Sequence, residues 1–185
     1  MLDDLQFVFW SIAYILIILS QLLDRKKKLL AIPLIAVVGN FSWELGAALT
    51  VGYWTHVVWA ALDVGILVFA LRGTPKWYSR IAAVVATACL TAVYLWLFTV
   101  ENGMLYSVFA VDLLMAVCFL VYRKQLSAKL AIPIALAKLL GDLCAGIYYG
   151  ESNALIAVIA SAVLLCNIMD LFLCIERRNV NGAAV

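Results

Sequence analysis

The sequence predicts an all-α membrane protein with seven transmembrane helices, and three observations support this fold class. Of its 185 residues, 67% are hydrophobic and only 13% are charged, and the mean hydropathy is +1.08. A soluble domain needs more polar surface than this, whereas a helical bundle surrounded by lipid does not. The apolar residues form seven runs of about 20 residues, which is the length of a transmembrane helix. Basic residues recur in alternate loops between these runs.

The seven predicted spans leave no room for a soluble domain, so we expect a single transmembrane domain over residues 1–185. The first span is too long for the apolar core of a signal peptide, and a basic cluster, Arg25 to Lys28, follows it. We therefore expect this span to remain as a helix. The predicted spans are approximately residues 5–23, 29–52, 54–71, 81–100, 104–122, 130–149 and 154–175.

The charges in the loops predict the orientation of the protein in the membrane. Twelve of the thirteen Lys and Arg residues follow the first, third, fifth and seventh spans. The other side of the membrane would carry Asp3, Asp4, Glu101 and Glu151 and no basic residue. The positive-inside rule then predicts that the N-terminus is outside or lumenal and the C-terminus is cytoplasmic.

An internal repeat is visible at an offset of 100 residues. The run Leu30-Ala31-Ile32-Pro33 recurs as Leu130-Ala131-Ile132-Pro133. Three further identities relate Leu5, Phe9 and Gly46 to Leu105, Phe109 and Gly146. These matches predict a three-plus-one-plus-three pseudo-repeat, in which the fourth span links two three-helix halves. Repeats of this kind place a binding site between the halves.

Five acidic side chains lie within the predicted spans: Glu44, Asp63, Asp112, Asp142 and Asp170. An ionisable group inside a membrane is costly unless it faces a partner or a cavity. Separate helix contacts would require a partner for each acid, so we expect all five to line one cavity. A packing role, with Glu44 protonated and hydrogen-bonded to a neighbouring helix, is the alternative for that residue. The spacing of Lys138 and Asp142 on the sixth span predicts a buried ion pair.

Tryptophan and tyrosine are concentrated in the half of the predicted spans that lies away from the basic loops. An interfacial belt explains those near the surface, but Trp10, Trp43 and Trp59 lie deeper than a belt requires. Aromatic rings around a cavity suit a ligand that is apolar, cationic or becomes cationic. His56, the only histidine, is interpreted as an interfacial polar residue.

Several motifs are absent from the sequence. There is no glycine-rich phosphate loop, no Asp-Asp-x-x-Asp cluster for a magnesium diphosphate site and no nucleophile elbow. The five Cys residues lack metal or redox spacing, and no second His or Cys is placed to complete a metal site with His56. We therefore expect no metal and no cofactor. Because the basic residues are spread over loops, we also expect no nucleic-acid partner.

Short motifs in three spans resemble those of a known family. They are Asn40-x-x-Trp43-Glu44, Asp63 after Trp59, and Asn167-x-x-Asp170. The motifs are similar to those of the small seven-helix integral-membrane terpene cyclases of fungal meroterpenoid and indole-diterpene pathways, a family with bacterial relatives. The resemblance implies a lipophilic prenylated substrate, with Glu44 and Asp170 as the catalytic carboxylates.

The residues and the resemblance agree on a mechanism. Cyclisation that begins by protonating an alkene or epoxide needs a strong acid in a dry site, and desolvation favours the neutral form of a carboxyl group. Aromatic rings would then stabilise the carbocation. Glu44 is expected to initiate the reaction, and Asp170 to act about 13 Å away in depth, so no coupled dyad is expected. The predicted substrate-binding residues are Trp10, Tyr14, Asn40, Trp43, Trp59, Asp63, Asp112, Asp142 and Asn167.

Two other classes of function are compatible with seven helices. A small proton-coupled or facilitative transporter of the sugar-carrier type has the same helix count, and buried acids serve as proton relays in transporters. The first and fifth spans, however, lack a Pro-Gln pair, and the Asn and Gln lining typical of a sugar path is absent. A non-catalytic membrane subunit is the third class, for which five buried acids are hard to explain.

Overall fold

The computed structural model describes residues 2–23, 33–122, 129–150 and 153–182, and over these ranges the protein is all-helical, without a strand. The prediction of an all-α fold is confirmed. The seven helices found in these ranges are α1 (Leu2–Leu23), α2 (Leu34–Thr50), α3 (Trp54–Gly73), α4 (Trp77–Leu97), α5 (Gly103–Tyr122), α6 (Ala131–Gly150) and α7 (Ala154–Gly182).

Six of these helices are long and apolar enough to cross a membrane, which indicates an integral membrane protein. The exception is α2, whose 17 residues rise about 25 Å, less than the ~30 Å hydrocarbon core. Its helix begins after Pro33, and the first part of the predicted span, residues 29–32, lies outside the described residues. A crossing by α2 therefore stays a prediction.

The helix ends differ from the predicted spans where turn geometry or polar sequence decides them. The α4 helix begins at Trp77 rather than residue 81 and ends at Leu97 rather than residue 100. It ends early because residues 98–102 form a turn in which Asn102 has a positive φ of 57°. The α7 helix continues beyond the apolar run through the polar residues that follow and ends at Gly182.

In α2, ten of 17 residues are buried. This helix contacts α3, α4 and α5, whereas α1 contacts α3 and α6, and α7 contacts α5 and α6. The α4 helix is peripheral, because only Ala83 and Thr91 of its 21 residues are buried. The site described below lies mainly between α1, α2, α3 and α5.

The outer surface of the bundle is apolar. Large hydrophobic side chains point outward from every helix, including Ile35 at 67% exposure and Phe172 at 68%. Such a surface is stable against lipid, whereas monomeric soluble proteins rarely expose large contiguous apolar patches.

The predicted orientation depends on loop charges, and several of these lie outside the described residues, namely Arg25–Lys28, Arg123, Lys124 and Glu151. Leu30–Ile32 of the predicted repeat also lie outside them.

Candidate functional site

A cavity of about 480 Å³ lies at the end of the bundle where α1, α3 and α5 begin and where α2 and α4 end. We call this end the N-terminal end of the bundle. Tyr53 and Trp54 stand at the mouth of the cavity and are each 65% exposed. The volume falls within the roughly 300–1,000 Å³ of small-molecule binding pockets.

The deep aromatic residues identified in the sequence line this cavity: Trp10, Tyr14, Trp43 and Trp59. The prediction of an aromatic cavity is confirmed. Each indole N–H donates a hydrogen bond to a residue of a neighbouring helix, which fixes the orientation of the ring. The acceptors are Asp142 Oδ1 for Trp10 (3.0 Å), Ser107 Oγ for Trp43 (2.9 Å) and Ser11 Oγ for Trp59 (3.2 Å).

Two phenylalanines that sequence reasoning missed complete the aromatic lining. The ring of Phe7 lies 5.5 Å from that of Trp59 and 4.7 Å from that of Trp54, measured between centroids. On the other wall, the ring of Phe98 lies 5.6 Å from that of Trp43. Phenylalanine is so common in membrane helices that its type alone gave no signal.

Glu44 lines the cavity and its Oε2 atom lies 3.0 Å from Nδ1 of His56. The carboxyl group is otherwise enclosed, with the residue only 5% exposed. The imidazole ring makes edge contacts with Trp43 and Trp59, at centroid distances of 5.5 and 5.7 Å. The interpretation of His56 as a merely interfacial residue was therefore wrong, because this side chain is the partner of Glu44.

A partial signal for this pair was present in the sequence. Glu44 lies six residues before the end of α2, and His56 lies two residues after the start of α3. The α2 and α3 helices form a tight hairpin through Gly52, whose φ of 68° favours glycine. The sequence therefore showed that the two residues share a hairpin, but not that their side chains meet.

Asp112 is the second membrane carboxylate that lines the cavity. No hydrogen bond or ion pair joins its side chain to another residue of the described part of the chain. The neighbouring carboxyl groups that act on it electrostatically are those of Asp142 and Glu44. Asp112 thus presents an acceptor to the cavity that no protein group occupies within the described ranges.

Asn40 connects the cavity wall to Asp63. Its Nδ2 atom donates to the Tyr14 hydroxyl at 2.8 Å and to Asp63 Oδ2 at 2.7 Å. Asn40 and Tyr14 line the cavity, whereas Asp63 is 2% exposed and lies behind them. These contacts join α1, α2 and α3 and hold the Tyr14 hydroxyl in place.

A second polar cluster joins α6 and α7, formed by Lys138, Asp142, Asn167 and Asp170. We call it the α6–α7 cluster. Lys138 Nζ lies 3.5 Å from Asp170 Oδ2, so the predicted ion pair between Lys138 and Asp142 was wrong. The two oxygens of Asp142 instead accept hydrogen bonds from Trp10 and Asn167.

The α6–α7 cluster is closed to solvent. Lys138 and Asp170 are both fully buried, and the Lys138 ammonium also lies 3.5 Å from the centroid of the Phe119 ring. Asp170 has Cys174 Sγ at 3.9 Å from its Oδ1 atom. Neither Asp170 nor Asn167 is among the residues that line the cavity.

The expectation that all five membrane acids line one cavity was wrong. Glu44 and Asp112 line it, whereas Asp63, Asp142 and Asp170 do not. The physical reason is that each of the last three has a separate partner: Asn40, the Trp10–Asn167 pair and Lys138 respectively. Asp170, predicted as the second catalytic carboxylate, makes no contact with Glu44.

The described ranges hold no group of three His, Cys, Asp or Glu side chains that could bind a metal ion. No protein-family model matches the chain, and neither does a curated protein or a solved structure. The function is therefore argued from the chemistry of the cavity.

Proposed function

We propose that this protein is a membrane-embedded terpene cyclase that protonates a prenylated substrate with Glu44 and cyclises it through carbocations. The observation that carries the proposal is the position of Glu44, a nearly buried carboxyl group in the wall of an aromatic cavity. A carboxylic acid is a competent proton donor in such a dry site, and the indole and phenyl rings around it are weak nucleophiles that can stabilise a cation without trapping it.

In the proposed reaction, the Glu44 carboxyl transfers its proton to a carbon of an alkene or to the oxygen of an epoxide. The resulting cation is attacked by the next double bond, which forms the ring and moves the positive charge along the chain. Loss of a proton from the last cation gives a neutral isomer of the substrate. His56, in contact with Glu44 on the side of the cavity mouth, can return a proton to the carboxylate.

The aromatic residues hold the cation and shape the folded chain. Their ring faces attract positive charge, by about 0.5–2 kcal/mol for each cation–π contact. Because the three indole N–H groups are engaged by neighbouring helices, the rings are preorganised before the substrate binds. Rings held in fixed positions can stabilise the positive charge at each place it occupies along the folded chain.

Asp112 takes the second acidic role in this proposal, in place of Asp170, because Asp112 lines the cavity and Asp170 does not. It would stabilise the late cation or accept its proton. Asn40, Asp63, Asp142 and Asn167 would support the wall, since they hold Tyr14 and Trp10.

We also propose that α2 crosses the membrane like the other six helices, which gives seven spans. The helices would then form two related halves joined by α4. The helix contacts support this arrangement, because contacts within one half, and contacts between the halves, have counterparts at the offset of 100 residues. The matched contacts are α1 with α3 and α5 with α7, α2 with α3 and α6 with α7, and α1 with α6 and α5 with α2. The cavity would then face the outer or lumenal side, with the C-terminus cytoplasmic.

The test is an assay of purified protein with farnesylated indole and farnesylated cyclic-dipeptide substrates, as alkenes and as terminal epoxides, in H₂O and D₂O. We expect a cyclic isomer of unchanged mass in H₂O. In D₂O the product of an alkene should carry one deuterium on carbon, because initiation adds a solvent-derived proton. Absence of cyclic product from every substrate would count against a cyclase.

A transporter of the sugar-carrier type is the second candidate. The observation that favours it is the link from the cavity to the α6–α7 cluster, in which Trp10 contacts Asp142 and Asp142 contacts Asn167. Asp142 could take up and release a proton beside the cavity, as buried acids do in proton-coupled transporters. Uptake of labelled sugars into proteoliposomes, with and without a proton gradient, tests this function separately from cyclisation.

A further inference from the structure

The ionisable side chains that line the cavity are mainly acidic. Four carboxylate residues line the cavity, namely Asp3 and Asp4 near its mouth and Glu44 and Asp112 further inside. None of the described lining residues is a lysine or an arginine. Low-dielectric walls concentrate the field of those carboxylates that are ionised, so the cavity attracts cations and repels anions even while Glu44 is held protonated.

The two inner carboxylates differ in how they are satisfied. Glu44 is engaged by His56 at 3.0 Å, whereas Asp112 has no hydrogen-bond partner in the described part of the chain. An acceptor without a protein partner in a largely apolar cavity can gain a hydrogen bond or a countercharge from a ligand. Asp112 is therefore the point where a bound cation would gain most.

The rest of the wall selects for an organic cation. Around the carboxylates stand the rings of Phe7, Trp10, Trp43, Trp59 and Phe98. Aromatic faces combined with an anion form the recognition site of quaternary ammonium groups in proteins. A small inorganic cation would lose its hydration among these rings, whereas an alkylated ammonium ion has little hydration to lose.

We propose that the cavity is a binding site for lipophilic organic ammonium ions, which enter at the N-terminal end and place their charge beside Asp112. This binding does not depend on the proposed cyclisation, because a permanent cation needs no proton transfer. A natural substrate that carries a basic nitrogen near its prenyl group would use the same contacts.

The test compares benzyltrimethylammonium with neopentylbenzene, its neutral carbon isostere. The protein is purified in a maltoside detergent, since zwitterionic choline detergents would compete for the site. Four of the six tryptophans line the cavity, so binding is read from tryptophan fluorescence. We expect saturable binding of the cation and at least tenfold weaker binding of the isostere, a difference of about 1.4 kcal/mol or more. Equal affinities would overturn the proposal.

Variants locate the charge. Asp112→Asn should weaken binding of benzyltrimethylammonium about tenfold, by removing the unpaired charge, and Asp112→Glu should retain most of the affinity. Glu101→Gln is the matched control, because it removes an exposed carboxylate at the same end of the bundle without touching the cavity wall. Equal losses for Asp112→Asn and Glu101→Gln would reject Asp112 as the site.

The results also separate this proposal from the proposed function. Cation binding that depends on Asp112, in a protein that forms no cyclic product, would retain the binding site and reject the cyclase. Cyclisation by a protein that binds the cation and its neutral isostere equally well would retain the cyclase and reject the cation-binding site. If the Asp112→Asn protein does not fold, the comparison of the two ligands on the unaltered protein still decides.

Discussion

The carboxylates of the cavity and those of the α6–α7 cluster occupy similar positions in apolar helices but differ in their surroundings. Glu44 and Asp112 face an open space lined with aromatic rings, and one of them has no partner in the described ranges. Asp142 and Asp170 are enclosed between helices, where Trp10, Asn167 and Lys138 engage them. The first pair is available to a ligand, and the second pair joins helices.

The difference shows that burial of an acid in a membrane helix does not by itself identify a catalytic group. A carboxylate with a matched cation or donors has its charge compensated within the fold. A carboxylate beside a cavity can still form a hydrogen bond or an ion pair with a substrate. The two regions should therefore respond in opposite ways to substitution, the cavity through activity and the α6–α7 cluster through stability.

The largest expected effect is the loss of cyclisation in Glu44→Gln. The amide preserves the size of the side chain and can hydrogen-bond to His56, but it cannot deliver a proton. We expect the rate to fall by at least ~10³-fold, within the range for loss of a general acid, and the thermal unfolding temperature to stay close to the parent value. Product formation and unfolding are measured on the same monodisperse preparation.

Glu101→Gln is the control for this substitution and should retain parent activity, since the residue is exposed and lies outside the cavity wall. Parent-like turnover by the Glu44→Gln protein would show that Glu44 is a packing residue and would remove the proposed mechanism.

Substitution of Lys138 by Met should destabilise the protein and spare the chemistry. It leaves Asp170 buried without its countercharge, at a cost of about 3–5 kcal/mol where such pairs have been broken. We expect a lower unfolding temperature in detergent, with unchanged turnover per folded molecule. The double variant Lys138→Met, Asp170→Leu should recover much of the loss, because it removes both charges.

Asp170→Asn alone gives the converse test of the same pair. We expect lower stability with a normal product pattern. Altered or truncated products from a protein of parent stability would instead assign Asp170 a catalytic role, as the sequence motif predicts.

Much of the fold could be predicted from the sequence because lipid-facing helices require long apolar runs. Six of the predicted spans correspond to long apolar helices within a few residues. The composition also identified Trp10, Trp43 and Trp59 as deeper than an interface requires, and all three line the cavity.

The partners of the acids could not be predicted in the same way, because they depend on which helices are neighbours. The i, i+4 spacing on α6 favoured Asp142 as the partner of Lys138, but α7 supplies Asp170 instead. Charge patterns within one helix carry no information on the rotation of the next helix. The contact of His56 with Glu44 also depends on how α2 and α3 lie against each other, since Glu44 is six residues from the end of α2 and His56 only two from the start of α3.

A moderate effect is expected from Gly141→Ala, which tests the contact between the two regions. A methyl group at position 141 would lie 2.7 Å from Cδ1 and 3.0 Å from Nε1 of Trp10, so the indole must move. Overpacking of this kind costs about 1–3 kcal/mol, and movement of Trp10 would break its bond to Asp142. We expect a lower unfolding temperature, a shifted tryptophan emission and reduced turnover.

Gly39→Ala is the matched control on α2. A methyl group there would meet Leu114 Cδ2 at 3.5 Å, an ordinary contact. Since alanine is favoured over glycine in a helix by about 1 kcal/mol, this variant should be at least as stable as the parent. Similar destabilisation by both substitutions would mean that the α1–α6 contact has no special importance.

The smallest expected effect, and the most specific, is that of His56→Gln. The glutamine amide can hydrogen-bond to Glu44 but cannot exchange a proton, so the acid should be held in place and reprotonated more slowly. We expect steady-state turnover to fall about tenfold, less than the ~10²–10⁴-fold contributed by a group in the chemical step itself. The first turnover of a protein equilibrated before mixing should keep the parent rate, because Glu44 is then already protonated. Rapid-quench measurement of the first and later turnovers separates the two phases. An equal slowing of both phases would mean that His56 only orients Glu44, and parent rates in both would exclude it from the mechanism.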